Sequence, residues 1–160
     1  MGTDLVPVAE VAETVARFGP RYVGRIYTDH EVSCCQGTPS VVAAGLAARF
    51  AAKEATIKVL RPVDAQPDWR SIEIRRDRAG WCAVHLTGTA ARLAQDQGIS
   101  HWAVSMTHEA GLAAAVVVAV CDETTHKSAR KSATRKSATR ESATYKSATA
   151  RSRRSGDDGG

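Results

Sequence analysis

The sequence predicts an α+β fold in which an antiparallel sheet packs against a long central helix, and three observations carry this. The run Leu46 to Leu60 contains neither Gly nor Pro, is rich in Ala and Leu, and places Leu46, Phe50, Ile57 and Leu60 on one apolar stripe at helical spacing. Short extended segments stand at the start of the chain and again in its second half. Helical segments lie between them, a segregated order that belongs to α+β folds rather than to alternating βα units.

In chain order, Leu5 to Val8 reads as a short extended segment. Ala9 to Phe18 reads as a helix that Gly19-Pro20 stops. Thr28 and Glu31 have capping-box spacing, so a short helix begins there. Gln36 to Ser40 is a loop whose Ser40 can cap the long helix. Pro62 and Pro67 exclude regular helix from Arg61 to Asp68. Trp69 to Arg76 and Trp81 to Thr87 alternate as two strands joined by the turn Asp77-Arg78-Ala79-Gly80. Gly88 to Gln97 is helical and ends at Gly98. His101 to Met106 and Leu112 to Val120 are the last strands, with Thr107 to Gly111 as the loop between them, and the Ala/Val run of the second implies burial on both faces.

The formal charge of +5 conceals two different segments. Residues 127–160 hold ten Lys/Arg against three Asp/Glu, leaving twelve basic and fourteen acidic residues in 1–126, a net of −2. The basic character therefore describes the end of the chain and not the body. From Lys127 onward the chain repeats K-S-A-T-R and its variants with almost no large apolar side chain. Such a segment cannot bury enough surface to offset the entropy of ordering, so residues 124–160 are expected to be a disordered basic tail and 1–123 a single domain. The domain is small enough to gain from association with copies of itself. No apolar run is long enough to span a membrane, and no basic-then-hydrophobic leader opens the chain. Cys34, Cys35, Cys82 and Cys121 lack C-x-x-C spacing, which implies reduced thiols in a cytoplasmic setting and offers no zinc cluster.

Chemistry concentrates on the long helix. At about 100° per residue Glu54 falls roughly 40° from Phe50 and Lys58 roughly 80°, putting a carboxylate at the edge of the apolar stripe and an ammonium one turn on. By spacing alone the two form an ordinary i,i+4 pair worth about 0.2–0.5 kcal/mol. The whole string R-F-A-A-K-E-A-T-I-K, Arg49 to Lys58, resembles the signature helix of the holo-[acyl-carrier-protein] synthases, short single-domain members of the 4′-phosphopantetheinyl transferase family. Gly2-Thr3-Asp4-Leu5-Val6, Tyr27-Thr28-Asp29-His30-Glu31 and Ser105-Met106-Thr107-His108 resemble three further motifs of that family, in the same order along the chain.

The resemblance implies a phosphopantetheinyl transferase-like fold and transfer of 4′-phosphopantetheine from coenzyme A to a serine of an apo acyl carrier protein, releasing adenosine 3′,5′-bisphosphate. It implies Mg²⁺ as cofactor, with Asp4 and Glu54 as the metal-binding carboxylates. Glu54 and Lys58 would be catalytic, and Arg49, Lys58 and His108 would contact coenzyme A. The chemistry agrees, because a diphosphate must be neutralised before a hydroxyl can attack it, and Mg²⁺ takes carboxylates and phosphates as ligands. The serine proton could go to Glu54 or to a water, and residue type does not choose between them. The family's carrier-docking surface maps to the first helical region, where Arg17, Arg21 and Arg25 recur every four residues and would steer an acidic carrier. The resemblance further implies a homotrimer with sites between subunits, and a role in fatty acid biosynthesis or in polyketide synthesis, between which the residues do not choose.

Two departures stand out. Met1 directly precedes Gly2, where the family has a few more strand residues, so the strand is shortened or the true start lies upstream. Arg61-Pro62-Val63-Asp64 replaces a Gly-rich turn after the signature helix. Two other readings remain: a nucleic-acid-associated protein that binds through its basic repeat, and an inactive relative that binds coenzyme A or carrier without transfer.

Overall fold

The computed structural model describes residues 1–63 and 66–122, and the repeat segment expected to form a tail lies outside the described residues. The unit Met1–Cys121 contains every element. Strand β1 (Gly2–Pro7) leads into helix α1 (Val8–Ile26), then α2 (Asp29–Ser33) and the long α3 (Pro39–Leu60). A single 3₁₀ turn, Trp69–Ser71, precedes β2 (Ile72–Arg76) and β3 (Cys82–Leu86), and α4 (Gly88–Asp96), β4 (Ile99–Glu109) and β5 (Leu112–Cys121) complete the fold. The strands form two antiparallel sheets, one ordered β1-β5-β4 and the other the β2-β3 hairpin.

Helix α3 is the centre of the molecule. Leu46, Ile57 and Leu60 of the predicted stripe are buried, but so are Ala47, Ala48, Ala51, Ala52 and Ala55, so burial extends well beyond one face. Small side chains on the remaining faces let strands approach the helix closely. The tightest approach is at Gly2, where an added Cβ would overlap the Ala55 carbonyl oxygen and stand 3.2 Å from a Val59 methyl. Phe50 stays partly buried and stacks on Trp69, with centroids 5.2 Å apart and planes 22° from parallel.

Several expectations need correction. The first helical segment breaks at Gly19-Pro20 as expected, Gly19 taking φ 56° and ψ −143°, but helix resumes at once from Pro20, whose fixed φ suits a first helical position, and runs to Ile26. Thr38, not Ser40, sits at the N-cap of α3, ahead of Pro39 at its first turn. Val8 belongs to α1 and not to the first strand, and Trp69 to Ser71 form a 3₁₀ turn and not strand. The final hairpin has only a two-residue turn, Ala110-Gly111, with φ of 50° and 80° at its centre. Both values are positive, as a two-residue hairpin of the right-handed sheet twist demands, so Thr107, His108 and Glu109 are strand residues. The Thr28 capping box forms as expected: Glu31 N–H donates to Thr28 Oγ1 (3.2 Å) and Thr28 N–H to Glu31 Oε2 (2.8 Å).

Candidate active site

Asp4 and Glu54, fifty residues apart in sequence, meet where β1 lies on α3. Pairing of the whole of β1 with β5, from Gly2↔Val117 to Pro7↔Leu112, fixes the strand's register and places Asp4 opposite Ala115. The missing side chain of Gly2 lets that strand settle onto the helix backbone at Ala55, next to Glu54. Lys58, one turn further, donates from Nζ to Asp4 Oδ1 and to the Thr3 carbonyl, both at 2.8 Å. Burial pushes the Glu54 carboxyl above its ordinary range, the nearby Asp4 charge adds to this, and Lys58 opposes it. The glutamate–lysine pair of the sequence is thus a three-residue cluster in which the lysine bonds the aspartate.

Two carboxylates held together at a cost to at least one of them suit a hard divalent cation. Their oxygen donors fit Mg²⁺, which commonly binds one or two carboxylates and completes its shell with water and phosphate oxygens. No group of three or more His, Cys, Asp or Glu side chains is placed to hold a metal among the described residues.

Arg49 and His108 belong to a second location. Both line a cavity of about 730 Å³ between the first half of α3, the β2-β3 hairpin and β4, and the cluster of Asp4, Glu54 and Lys58 is not part of its wall. Five helical positions separate Arg49 from Glu54, which turns them roughly 140° apart around the axis. Arg49 is no solvated helix charge: it is 4% exposed, Nη1 donates to the Gly45 carbonyl at 3.1 Å, and its buried Nε has no partner among the described residues. A buried guanidinium with an unused donor on a cavity wall is suited to an anion. His108, opposite Ala113 on β4, is exposed.

Arg17, Arg21 and Arg25 are all exposed on α1. Arg21 and Arg25 follow the kink and share one helical segment, whereas Arg17 precedes it and lies over the Phe18 ring at 5.0 Å. Arg70 braces that segment by donating to the Gly24 carbonyl at 2.9 Å.

Sequence reasoning missed the pair that organises the interior. Glu31 and Lys53 are both fully buried, with Nζ 2.8 Å from Oε2. Lys53 spends its other two donors on the Trp69 carbonyl at 2.8 Å and on that of Ile72, and Ile74 N–H donates to Glu31 Oε1 at 3.0 Å. Burial pulls the Lys53 ammonium below its usual range, against the opposing pull of Glu31. One ion pair thus ties α2, α3 and β2 together. The available signal was a capping-box glutamate together with a lysine among the buried alanines of α3.

Residues 1–121 match the sequence pattern of the 4′-phosphopantetheinyl transferase superfamily. The chain belongs to that superfamily. A holo-[acyl-carrier-protein] synthase of Chloroflexus aggregans is 40% identical over 132 aligned residues, 76% of this chain and 94% of that one. One from Herpetosiphon aurantiacus is 37% identical over 125, covering 73% and 94%. Among solved structures, a complex of the Chronobacterium ammoniagenes synthase with coenzyme A superposes with a TM-score of 0.68 at 29% identity, covering 76% of this chain and 96% of that one. The mixed fold of helices and antiparallel sheet is accordingly that of the holo-[acyl-carrier-protein] synthases, which are the superfamily members the chain matches.

Proposed function

We propose that the protein transfers 4′-phosphopantetheine from coenzyme A to a serine of an apo acyl carrier protein with Mg²⁺ as cofactor. The convergence of Asp4, Glu54 and Lys58 carries this reading, because β1 and α3 have no structural need to assemble two carboxylates and an ammonium at their contact. Asp4 and Glu54 would hold the metal, which when bound supplies Lewis-acid neutralisation of the diphosphate.

The chain's own groups account for the remaining steps. Lys58 uses two of its three N–H donors on Asp4 and Thr3, leaving one for a phosphate oxygen of the donor. Glu54, or a water beside it, accepts the serine proton as the hydroxyl oxygen bonds to phosphorus. The phosphorus–oxygen bond to the nucleotide breaks, and adenosine 3′,5′-bisphosphate leaves with the electron pair. Arg49 and His108 bind the phosphates of the nucleotide end, and Arg17, Arg21 and Arg25 meet the acidic carrier.

Two observations support a homotrimer with sites shared between subunits. The phosphate-binding cavity and the carboxylate cluster lie on different sides of α3. The outer face of the sheet also leaves Leu5, Val116, Val118 and Val120 exposed, with Leu5 at 60% and Val120 at 56%, and an apolar stripe of this kind marks a surface that another chain covers. No helix among the described residues is long and apolar enough to cross a membrane.

Mass spectrometry of an apo carrier protein incubated with this protein, coenzyme A and Mg²⁺ tests the reading. A gain of one phosphopantetheine, lost in excess chelator, is expected. An unmodified carrier would refute the activity, and full transfer in chelator would refute the metal. Arg17→Glu and Arg21→Glu should raise KM for the carrier and leave KM for coenzyme A unchanged.

A further inference from the structure

The wall of the Arg49 cavity carries a side chain without a role so far. Between β2 and β3 the turn is closed by Asp77 N–H to Trp81 O (2.9 Å), Gly80 N–H to Asp77 O (3.1 Å) and Trp81 N–H to Asp77 Oδ1 (2.9 Å). Two of these bonds pin the Trp81 backbone and the third closes the turn before it, yet the indole is 76% exposed and lines the cavity. The other aromatic residues of this region have partners: Phe50 stacks on Trp69, Tyr27 is buried against Tyr22, and Trp102 packs against the core. Beside Trp81, Arg76 Nε donates to the Gly80 carbonyl at 3.3 Å, which holds a second guanidinium on the same hairpin.

An exposed indole on a rigid turn, facing a cavity with Arg49, Arg76 and His108, offers a flat π-surface next to fixed cations. That combination suits a nucleobase joined to phosphates, since the base stacks while the cations take the charge. At 76% exposure the indole buries little surface within its own chain and adds little to folding.

We propose that Trp81 is the residue on which the adenine of coenzyme A stacks, making it a specificity determinant for the nucleotide end of the donor. This rests on the transferase reading. It assigns Trp81 to recognition and not to the chemical step, so its loss acts on donor affinity and leaves turnover unchanged.

Calorimetric titration of coenzyme A and of 3′-dephospho-coenzyme A into the full-length protein, Trp81→Ala and Trp81→Phe tests the assignment. Trp81→Ala should keep the wild-type melting temperature and raise Kd about tenfold, the loss of one stacked base, by the same factor for both ligands. Trp81→Phe, which keeps a stacking face, should restore most of the affinity. In transfer assays Trp81→Ala should raise KM for coenzyme A with kcat and carrier KM unchanged. Unchanged binding by Trp81→Ala, a factor that depends on the 3′-phosphate, or a rise in carrier KM instead would each overturn the stacking role while leaving the transferase reading intact. Wild-type protein that binds neither ligand would overturn that reading as well.

Discussion

Lys58 Nζ lies 2.8 Å from Asp4 Oδ1, a contact across 54 residues of sequence that brings the first strand and the central helix into one charged cluster. Lys58 is half-exposed, so the pair itself adds little stability. In that cluster burial, and after it the nearby Asp4 charge, push the Glu54 carboxyl above its ordinary range, while Lys58 works against both.

Glu54→Gln should therefore separate stability from activity. A carboxyl whose folded pKa exceeds its unfolded value favours the native state below the unfolded pKa, and that contribution is lost as pH rises through the folded pKa. At neutral pH without metal the amide escapes this loss, so the variant should melt at or slightly above the wild-type temperature, while transfer falls by roughly a hundredfold or more. Below the unfolded glutamate range the melting difference should vanish. Thermal melts from about pH 3 to 8 in metal-free buffer, run beside a transfer assay, check both halves.

Gly2→Ala should damage the site from beneath. Its methyl would collide with the Ala55 backbone, and neither β1, paired along its length with β5, nor the middle of a 22-residue helix can yield cheaply. The expected cost is about 1–3 kcal/mol, as in other overpacked contacts, together with a fall in transfer because Asp4 moves away from Glu54. Urea unfolding and steady-state kinetics on the same preparation measure the two effects.

Lys53→Met should be more harmful than any surface charge change. It leaves the Glu31 carboxylate buried without its counter-ion, a loss of about 3–5 kcal/mol. The double variant Lys53→Met, Glu31→Gln should regain part of that, since the uncompensated charge is gone. A double-mutant cycle in urea measures the coupling.

Much of this was legible in the residues. The long helix, the capping box at Thr28 and the Asp77 turn follow from local rules, because caps, turns and helix formers act within a few positions. The fate of Gly19-Pro20 was not, since whether a kinked chain resumes its helix depends on what lies beneath it. The short Ala110-Gly111 turn was also hidden, because alanine is an unusual residue at positive φ. For the site, Asp4 and Glu54 were nameable only by resemblance; their proximity comes from strand register and from the room left at Gly2. The burial of Arg49 was hidden as well, because spacing does not reveal that α3 is buried on several faces.

The domain and the basic repeat should prove separable. A chain ending near Glu123 keeps all ten elements, and removes the segment that carries the net positive charge. It should retain its melting temperature and transfer activity. Any affinity of the full chain for DNA should fall steeply with salt and disappear on truncation, as phosphate neutralisation by Lys and Arg requires. DNA binding that survives truncation would support the nucleic-acid reading instead.

The most direct test of the central claim, that Asp4 and Glu54 together make the transfer site, is a mass-spectrometric time course of apo carrier protein with coenzyme A and Mg²⁺. Wild-type protein should convert the carrier fully to its phosphopantetheinylated form, while folded Asp4→Asn and Glu54→Gln should each leave it almost wholly unmodified over the same period. Conversion by both variants at the wild-type rate would contradict the account and place the chemistry elsewhere in the fold.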